Sequence, residues 1–493
     1  TSDLKEASLI YAYGTKIMYY VADLHLHSKY SRAVSPSMTL PVMEKFAGQK
    51  GIDILTASDW THPIWFKEIQ NLLEEAGEGV YKLKIENVKS KKNILFLLST
   101  EISSIYKEAG KLRRIHNLVF VPTIEIAEKV SKALIKRGCN LSADGRPIVG
   151  LSSRNLLELI LSIDQRCLLI PCHVWTPHFG VYGSKSGYDS LEEAFGDLAP
   201  FVYGIETGIS SDPEMNWRIS ELANRSILSF SDAHSAPNMA REATFFDLEK
   251  PTYENIRQAI MRPMLKNASK ETSPVGTKGT KGNKTFVSSG SSVPSETSNR
   301  IAYTIEFYPE EGKYHFSGHR NCKVSISPEE LPTKGMICPI CNKQFTEGVA
   351  PRIEQLAGRE FAKVYKEKRS NSGIKWYTDK TKNHPPFVKL IRLQQIVAAG
   401  LGVTVASKKV DETYSKLCPE IDSEIDILLK TPIAEVEKIA GERIAQTLQK
   451  VRSGKVEIDP GYDGLYGKVK IWSEEEETKG TAETNAPQLK LDI

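Results

Sequence analysis

The chain has 493 residues, of which 40% are hydrophobic and 26% are charged, as in ordinary soluble globular proteins. This length predicts about two to four domains. No apolar run approaches the roughly 20 residues of a membrane span, and no export signal is found, so we expect a cytoplasmic protein without a membrane partner. The net charge of +4 is only mildly basic, and a nucleic-acid partner would therefore need a local basic surface.

Residues 1–265 alternate between short apolar runs and helical patterns, which is typical of a parallel α/β sheet or barrel. The predicted strands are Tyr19–Leu24, Ile52–Ala57, Ile94–Leu98, Leu118–Val121, Leu168–Ile170, Val202–Ile205 and Ile227–Phe230. The predicted helices are Leu40–Gln49, Trp65–Ala76, Ile124–Arg137, Arg154–Ile163 and Met215–Asn224. Seven strands indicate a barrel with one unit fewer than the usual eight.

Six of the seven predicted strands are followed by histidine or an acidic residue, and the remaining strand has a histidine just before it. In chain order these residues are Asp23, His25, His27, Asp59, His62, Glu101, His116, His173, Glu206, Asp232 and His234. Because the carboxyl ends of barrel strands converge on one mouth, side chains that are distant in sequence can meet there. Imidazole and carboxylate ligands together suit zinc, manganese or iron, and a carboxylate can bridge two ions.

A role outside direct metal ligation is open for four residues. Asp23 and Asp59 could orient a ligand through a hydrogen bond instead of binding an ion themselves. Glu206 and His178, which lies in a predicted loop, could contact the substrate or be purely structural.

Residues 17–265 resemble the PHP (polymerase and histidinol phosphatase) superfamily, because Asp-Leu-His-Leu-His-Ser at 23–28, Asp-Trp-Thr-His at 59–62 and Asp-Ala-His at 232–234 occur in the right order. The resemblance implies a distorted seven-stranded barrel that holds two or three divalent ions (zinc, manganese or magnesium) and hydrolyses phosphate esters. The implied metal ligands are His25, His27, His62, Glu101, His116, His173, Asp232 and His234. Glu101 is the implied bridging carboxylate, and Asp232 is the best candidate to position or deprotonate water, with His173 and Glu101 beside it.

One departure from the superfamily pattern follows the first motif. Many PHP enzymes carry an aspartate a few residues after His-x-His, whereas this chain reads Ser31-Arg32-Ala33. The change could remove one ligand, so two and three ions are both open. Arg32 could instead contact a substrate phosphate.

Residues 301–350 predict a small zinc-binding module. Cys338-Pro-Ile-Cys341 has the spacing of a zinc knuckle, and His319-Arg-Asn-Cys322 supplies a second pair. These four residues would hold one structural zinc ion, with His315 as a competing fourth ligand. The seven cysteines, an odd number, fit a cytosolic metal site better than a disulfide framework. Such an ion would stabilise a module that is too small to fold alone.

The rest of the second half predicts a linker and a helical region. Residues 266–300 are rich in Gly, Lys and Ser and predict a disordered linker or insertion. Residues 351–472 predict a helical DNA-binding region, with helices at Arg352–Lys368, Leu390–Ala399, Glu420–Leu429 and Ile433–Arg452. Residues 425–458 resemble a helix-hairpin-helix unit, which binds DNA phosphates through backbone amides, and a plain helical pair is the alternative. In residues 460–467, Tyr462 and Tyr466 could stack on bases or simply pack.

Nearly the whole chain resembles the endonuclease Q family. The resemblance rests on the PHP motifs followed by Gly-His-Arg-Asn-Cys at 318–322, Cys-Pro-Ile-Cys at 338–341 and Pro-Gly-Tyr-Asp-Gly-Leu-Tyr-Gly at 460–467. It implies a nucleoid-associated DNA repair nuclease whose partner is DNA with deaminated or abasic sites. The implied cut lies on the 5′ side of uracil, hypoxanthine or an abasic site and leaves a 3′-hydroxyl and a 5′-phosphate.

Residues 473–493 predict a flexible tail that ends in a truncated sliding-clamp binding motif, formed by Gln488, Leu491 and Ile493 without the usual aromatic pair. Two other functions are weighed against the nuclease. A small-molecule phosphoesterase would not need the appended modules. A DNA-binding scaffold with a decayed PHP site would not need the near-complete ligand set.

Overall fold

The computed structural model describes four stretches of the chain. They are residues 19–84, 93–271, 299–357 and 364–473. The predicted clamp-binding residues Gln488, Leu491 and Ile493 lie outside the described residues, as does most of the predicted linker, of which only its two ends are described.

The described residues form strands β1 to β19 and helices α1 to α14. The strands are β1 Tyr19–Asp23, β2 Ile54–Thr56, β3 Leu73–Gly77, β4 Val80–Leu83, β5 Leu95–Glu108, β6 Lys111–Val121, β7 Ile148–Val149, β8 Leu168–Pro171, β9 Gly204–Glu206, β10 Ser226–Leu228, β11 Ala243–Asp247, β12 Arg300–Glu306, β13 Ser317–His319, β14 Val324–Ile326, β15 Tyr365–Arg369, β16 Lys375–Asp379, β17 Phe387–Lys389, β18 Glu457–Asp459 and β19 Lys468–Lys470. The helices are α1 Leu40–Lys50, α2 Pro63–Leu72, α3 Ile124–Lys136, α4 Ser153–Ile163, α5 Leu191–Phe195, α6 Pro213–Asn216, α7 Tyr253–Glu271, α8 Leu331–Lys334, α9 Val349–Leu356, α10 Leu393–Leu401, α11 Lys408–Glu420, α12 Glu424–Leu429, α13 Ile433–Ala440 and α14 Glu442–Arg452.

Three helices of the first half match the periodicity of the sequence. Helices α1, α3 and α4 bury one apolar face each. Thr123 and Ser152 cap α3 and α4, because their hydroxyl oxygens accept hydrogen bonds from backbone N–H groups in the first turn.

Two other predicted helices are shorter than their patterns indicate. The predicted helix at 65–76 ends at Leu72, and β3 follows at once because it pairs with β4. The predicted helix at 215–224 is limited to α6 and a short 3₁₀ turn. Trp175 donates to the Asn216 side chain at 2.8 Å, which fixes the end of α6 against the segment after β8.

The main sheet contains thirteen strands in the described part of the chain, and it is mixed, so the prediction of a parallel sheet is wrong in part. Strands β1, β2 and β5 are parallel, as predicted. Antiparallel partners flank them, because β11 pairs with β1 and β6 pairs with β5 along its whole length. Helices cover this sheet, which gives a mixed α/β fold.

The β5–β6 hairpin changes the expected position of two candidate ligands. Both strands are much longer than the predicted apolar runs, so Glu101 and His116 lie within strands and not at their ends. Leu118 pairs with Glu101, and His116 pairs with Ser103 on the same ladder. Since residues two apart on a strand share a face, the hairpin presents both side chains on one side of the sheet.

Strands β9 and β10 form a separate parallel pair. Backbone hydrogen bonds join Glu206 O of β9 to Val174 N in the segment after β8 (3.2 Å), and Ala233 O in the segment after β10 to His27 N in the segment after β1 (3.2 Å). The predicted seven-stranded barrel stays a prediction.

The sheet continues into the second half of the chain. Strand β12 pairs with β11 and with β17, and β17 leads through β16 to β15 at the edge. The predicted helix at 352–368 is therefore wrong for residues 365–368, which belong to β15. Their ladder, in which Lys368 faces Trp376, supplies partners that overrule local helical periodicity.

Beyond residue 390 the described chain is helical as far as residue 452. The predicted helix at 420–429 is instead the end of α11 and a new helix α12, which Ser423 caps. Helices α13 and α14 meet at Gly441, whose φ of 87° lies in the left-handed region that glycine tolerates best. No helix of the described residues is long and apolar enough to cross a membrane.

Candidate metal centre

The candidate metal centre begins at the end of β1, where Asp23 joins two distant parts of the chain. Its carboxylate accepts hydrogen bonds from Ser231 N (3.0 Å), Ser231 Oγ (2.6 Å) and Ala240 N (2.9 Å). These bonds fix the segment after β10 beside the segment after β1. Asp232 is thereby brought next to His25 and His27.

A first group of ligand atoms comprises His25, His27 and Asp232, whose ligand atoms lie within 4.8 Å of one another. Asp232 Oδ1 is 3.0 Å from His27 Nε2 and 3.7 Å from His25 Nε2. Both histidine rings are fully buried. One carboxylate oxygen therefore faces two imidazole nitrogens in a shielded position.

A second group comprises Glu101, His116 and His173. Glu101 Oε1 is 2.5 Å from His116 Nδ1 and 3.0 Å from His173 Nε2. The other oxygen, Oε2, is 3.4 Å from His27 Nε2 in the first group. Glu101 thus lies between the two groups, with one oxygen toward each.

Two further carboxylates hydrogen-bond the Nδ1 atoms of histidines, on the side of the ring away from the centre. Glu206 accepts hydrogen bonds from His25 Nδ1 (2.8 Å) and from His173 N (3.0 Å). Asp59 lies 3.2 Å from His27 Nδ1 and accepts from Ser28 N at 2.6 Å. Each bond fixes the ring so that Nε2 points to the centre, which is the geometry of a residue that orients a ligand.

The backbone at this site is strained. Asp59, His173 and Asp232 have φ angles of 54°, 31° and 46°, in the left-handed region that side-chain-bearing residues rarely adopt. Two glycines allow the close approach: a Cβ on Gly208 would lie 2.4 Å from His173 Cβ, and one on Gly145 would lie 2.5 Å from Asp59 Oδ2. Strain of this kind clusters at functional sites.

The electrostatics favour ionised acids at the centre. Burial would raise the pKa of Asp232, but the neighbouring His25 and His27 hold it well below its usual range. Burial alone would lower the pKa of His25, and the carboxylates of Glu206 and Asp232 raise it to about 9. Burial lowers the pKa of His116 to about 4.

Divalent cations fit these residues. His25 Nε2, His27 Nε2 and Asp232 Oδ1 are buried and have no hydrogen-bond partner within the described chain. Buried polar atoms without a partner are costly unless something satisfies them. Nitrogen and carboxylate oxygen donors in two groups around a shared glutamate match the preferences of zinc and manganese.

Four predicted residues are not part of the two groups in this structure. His62 caps α2 through Nδ1, which accepts from Trp65 N at 3.5 Å. His234 Nδ1 hydrogen-bonds the backbone oxygen of Asp232 at 2.9 Å, and its ring lies against His27. His178 is exposed on its loop. Arg32 is also exposed and pairs with Asp144 at 3.4 Å.

Arg146 is a residue of the site that sequence reasoning missed. Its Nη1 lies 3.0 Å from Glu101 Oε2, and most of its side chain is shielded from solvent. It follows Gly145 in a loop between helix α3 and strand β7, far in sequence from every motif. The Asp-Gly-Arg-Pro sequence indicates a turn there, and nothing in it identifies the residue that the guanidinium contacts.

A separate set of metal-binding side chains lies in the second half. The ligand atoms of His319, Cys322, Cys338 and Cys341 lie within 4.8 Å of one another, as predicted for a zinc site. The set is built on the β13–β14 hairpin and a turn in which Asn342 N donates to Cys338 O. His315, the competing ligand, is not in this set. It is buried, and its Nδ1 has no hydrogen-bond partner within the described chain.

Three known proteins are similar to this chain along most of its length. The crystal structure of the lesion-specific endonuclease PfuEndoQ from Pyrococcus furiosus has a TM-score of 0.71 at 26% identity, over 94% of this chain and 99% of that one. A structure of endonuclease Q in complex with a 27-mer duplex substrate, with an abasic lesion at the active site, has a TM-score of 0.72 at 27% identity, over 96% of this chain and 100% of that one. The uncharacterised protein YqxK of Bacillus subtilis is 26% identical over 464 residues, 91% of this chain and 98% of that protein. In addition, residues 392–455 match the family described as the MJ0043 C-terminal domain.

Proposed function

We propose that this chain is a metal-dependent repair endonuclease that cuts DNA on the 5′ side of a deaminated base or an abasic site. Its similarity to the endonuclease Q structures over nearly the whole chain supports this activity. The observation that carries the proposal is the pair of ligand groups around Glu101, one with His25, His27 and Asp232, the other with His116 and His173. A paired site of this kind suits in-line displacement at phosphorus.

In the proposed reaction, water attacks phosphorus and the bond from phosphorus to the 3′ oxygen breaks. The products are a 3′-hydroxyl, which takes up a proton, and a 5′-phosphate. Divalent ions bound at the two groups would act as Lewis acids, which make water more acidic and offset the charge of the phosphate. Asp232, whose Oδ1 faces His25 and His27, would help to hold an ion and would position the attacking water through a hydrogen bond.

The surrounding residues keep the ligands in position. Glu206 and Asp59 hold the rings of His25 and His27, so that little reorganisation is needed when substrate binds. Arg146 Nη1 reaches the centre beside Glu101. A guanidinium at this point would contact a non-bridging phosphate oxygen.

A cavity of about 180 Å³ is the proposed place for an extrahelical lesion. It is lined by Thr176 from the first half of the chain and by His315 and Tyr466 from the second half. Thr176 Oγ1 lies 3.2 Å from His173 Nδ1, so the cavity adjoins the metal centre. A deaminated base pairs poorly, and its extrusion from the duplex therefore costs less than that of a normal base.

The proposal is tested by a nicking assay on end-labelled duplexes with a single uracil, hypoxanthine or abasic site, with an undamaged duplex and nitrophenyl phosphate alongside. We expect one cut on the 5′ side of each lesion and none in the undamaged duplex. Hydrolysis of nitrophenyl phosphate without any cutting of damaged DNA would indicate a small-molecule phosphoesterase instead.

The variant Asp232→Asn tests the site itself. It removes the carboxylate that faces two histidines, and we expect the nicking rate to fall by roughly 10²- to 10⁴-fold while duplex binding is retained. Asp197→Asn is the matched control, since Asp197 is exposed and pairs with Arg154 on the surface. Normal nicking by Asp232→Asn would contradict the assignment.

A further inference from the structure

Residues 460–467, here called the turn segment, join β18 to β19 and have a backbone that is fixed on both sides. Gly461 N donates to Glu310 O (2.9 Å), and Gly464 N donates to Lys313 O (2.9 Å). The carboxylate of Asp463 accepts from Arg320 N at 2.8 Å and from a threonine hydroxyl of the zinc-binding module at 2.5 Å. The turn segment is therefore held against the turns of residues 309–313 and of the zinc-binding module.

The side chains of the turn segment divide into one anchor and two exposed apolar groups. Tyr462 packs against Gly318, where an added Cβ would lie 2.5 Å from the tyrosine ring. Leu465 and Tyr466 are 42% and 64% exposed. Large apolar side chains that a fixed backbone holds in solvent mark a contact surface.

Two cations flank these exposed side chains. Lys313 Nζ lies 4.5 Å from the centre of the Tyr466 ring. The Arg320 guanidinium lies next to Gly464, 3.4 Å from the position of an added Cβ. Both cationic side chains are exposed, whereas Asp463 is occupied by its two internal hydrogen bonds. An aromatic and an aliphatic group between two cations complement stacked bases between phosphates.

The turn segment also lies close to the proposed site of cleavage. Tyr466 and Thr176 line the same cavity. Thr176 in turn contacts the candidate ligand His173. Tyr466 is thus part of the cavity wall, and Leu465 is its neighbour in the turn segment.

We propose that Leu465 and Tyr466 form a wedge that enters the base stack of duplex DNA at the lesion and occupies the space that the extruded nucleotide leaves. Lys313 and Arg320 bind the phosphates on either side. This inference rests on the proposed function and assigns its duplex-opening element. Apolar side chains that insert between base steps unstack the duplex locally.

The wedge is tested with the double variant Leu465→Ala/Tyr466→Ala on two substrates, a uracil-containing duplex and the same strand without its complement. Because the wedge acts on paired DNA, we expect the nicking rate on the duplex to fall roughly ten- to a hundredfold. The rate on the single strand should fall much less, because a single strand needs no unstacking of a duplex and loses only the contact of Tyr466 with the cavity. A 2-aminopurine next to the uracil should brighten when the wild type binds the duplex and stay dim with the double variant.

Two further variants complete the test. The single variant Tyr466→Trp keeps Leu465 and a stacking ring. We therefore expect it to nick the duplex at close to the wild-type rate, unlike the double variant. Ile135→Ala removes an equally exposed apolar side chain from helix α3 and should change nothing. The wedge is overturned if the double variant nicks the duplex at the wild-type rate, or if it loses activity equally on the single strand.

Failure of the proposed function gives a different result from failure of the wedge, because the wild type itself then nicks no damaged DNA. The wedge is in that case tested by the 2-aminopurine fluorescence alone. Duplex binding by the wild type without brightening overturns it.

Discussion

Arg146 and Glu101 show how one charge pair prepares the metal centre. Glu101 faces His116 and His173 with Oε1 and receives Arg146 at Oε2. Burial would raise the pKa of Glu101, and the charge of Arg146 together with hydrogen bonds from His116 and His173 holds it well below its usual range. The guanidinium therefore helps to keep the carboxylate ionised.

Replacing Arg146 with alanine should lower kcat by roughly 10²- to 10³-fold, because one preorganised donor to the developing charge is lost. Metal content should be unchanged and KM should rise little. Arg146→Lys should recover only part of the rate, since a single ammonium cannot copy the planar fork. Arg154→Ala, which removes an exposed arginine, is the control, and an unaltered kcat in Arg146→Ala would disprove the role.

Glu306 offers a pH test away from the metal centre. It is fully buried, and burial raises its pKa from about 4.5 to about 8, although Ser229 and Thr304 hydroxyls donate to it. The folded protein thus holds a proton that the unfolded chain releases between pH 4.5 and pH 8. The stability that this proton contributes is complete below pH 4.5 and is lost as the pH rises toward 8.

In Glu306→Gln that contribution to the pH dependence disappears. The free energy of unfolding of the wild type should fall relative to the variant by up to roughly 1.4 kcal/mol per pH unit between pH 4.5 and pH 8. Urea unfolding at several pH values measures the difference. The exposed Glu158→Gln is the control, and parallel curves for wild type and Glu306→Gln would rule out a buried, protonated Glu306.

At the scale of elements, the zinc-binding hairpin has only a small apolar core. Ile326, Cys338 and Phe345 are its buried apolar residues within the described chain. Three such residues cannot stabilise a module on their own, so a bound ion would have to supply the remainder. The same hairpin carries the turn segment through Asp463, which couples metal binding to the proposed wedge.

Cys338→Ser should therefore lower the bound metal by about one ion per chain, expose the module to proteases and weaken duplex nicking more than single-strand nicking. Metal analysis and limited proteolysis measure the first two effects. Cys139→Ser, at a half-buried cysteine outside the set, is the control. Unchanged metal content in Cys338→Ser would exclude the site.

For the molecule as a whole, a buried ion pair joins the two halves. Lys50 of α1 donates to Glu424 of α12 at 2.7 Å, and both side chains are almost fully buried. Tyr414 Oη also donates to Glu424, at 2.7 Å. Gly51 makes the approach possible, because a Cβ there would lie 2.3 Å from Ser423 Oγ. The helical region is thus docked on the end of helix α1 through a contact that tolerates little change.

Lys50→Met leaves Glu424 buried without its cation and should lower the free energy of unfolding by roughly 3–5 kcal/mol. Adding Glu424→Gln should recover part of the loss, because the uncompensated charge is gone. Denaturant unfolding measures both, and Lys430→Met, at an exposed pair with Asp426, should cost under about 1 kcal/mol. If Lys50→Met also lowers the free energy of unfolding by less than about 1 kcal/mol, the ion pair does not stabilise the contact between the two halves.

The sequence by itself determined the chemistry of the candidate centre. Imidazoles and carboxylates after short apolar runs, in a fixed order, were enough to name His25, His27, Glu101, His116, His173 and Asp232, which the structure brings into two groups. Spacing also predicts the candidate zinc set, whose side chains are local in sequence and lie close together in the structure.

Only the tertiary structure decided which of these side chains point inward and what supports them. His62 uses its Nδ1 to accept a hydrogen bond at the start of helix α2. Arg146 reaches Glu101 from a loop that carries no recognisable motif. Residues 387–389 form strand β17 by pairing with the distant strand β12, and this pairing joins β15 and β16 to the main sheet. Such outcomes depend on contacts between residues far apart in sequence, whose energies local periodicity does not contain.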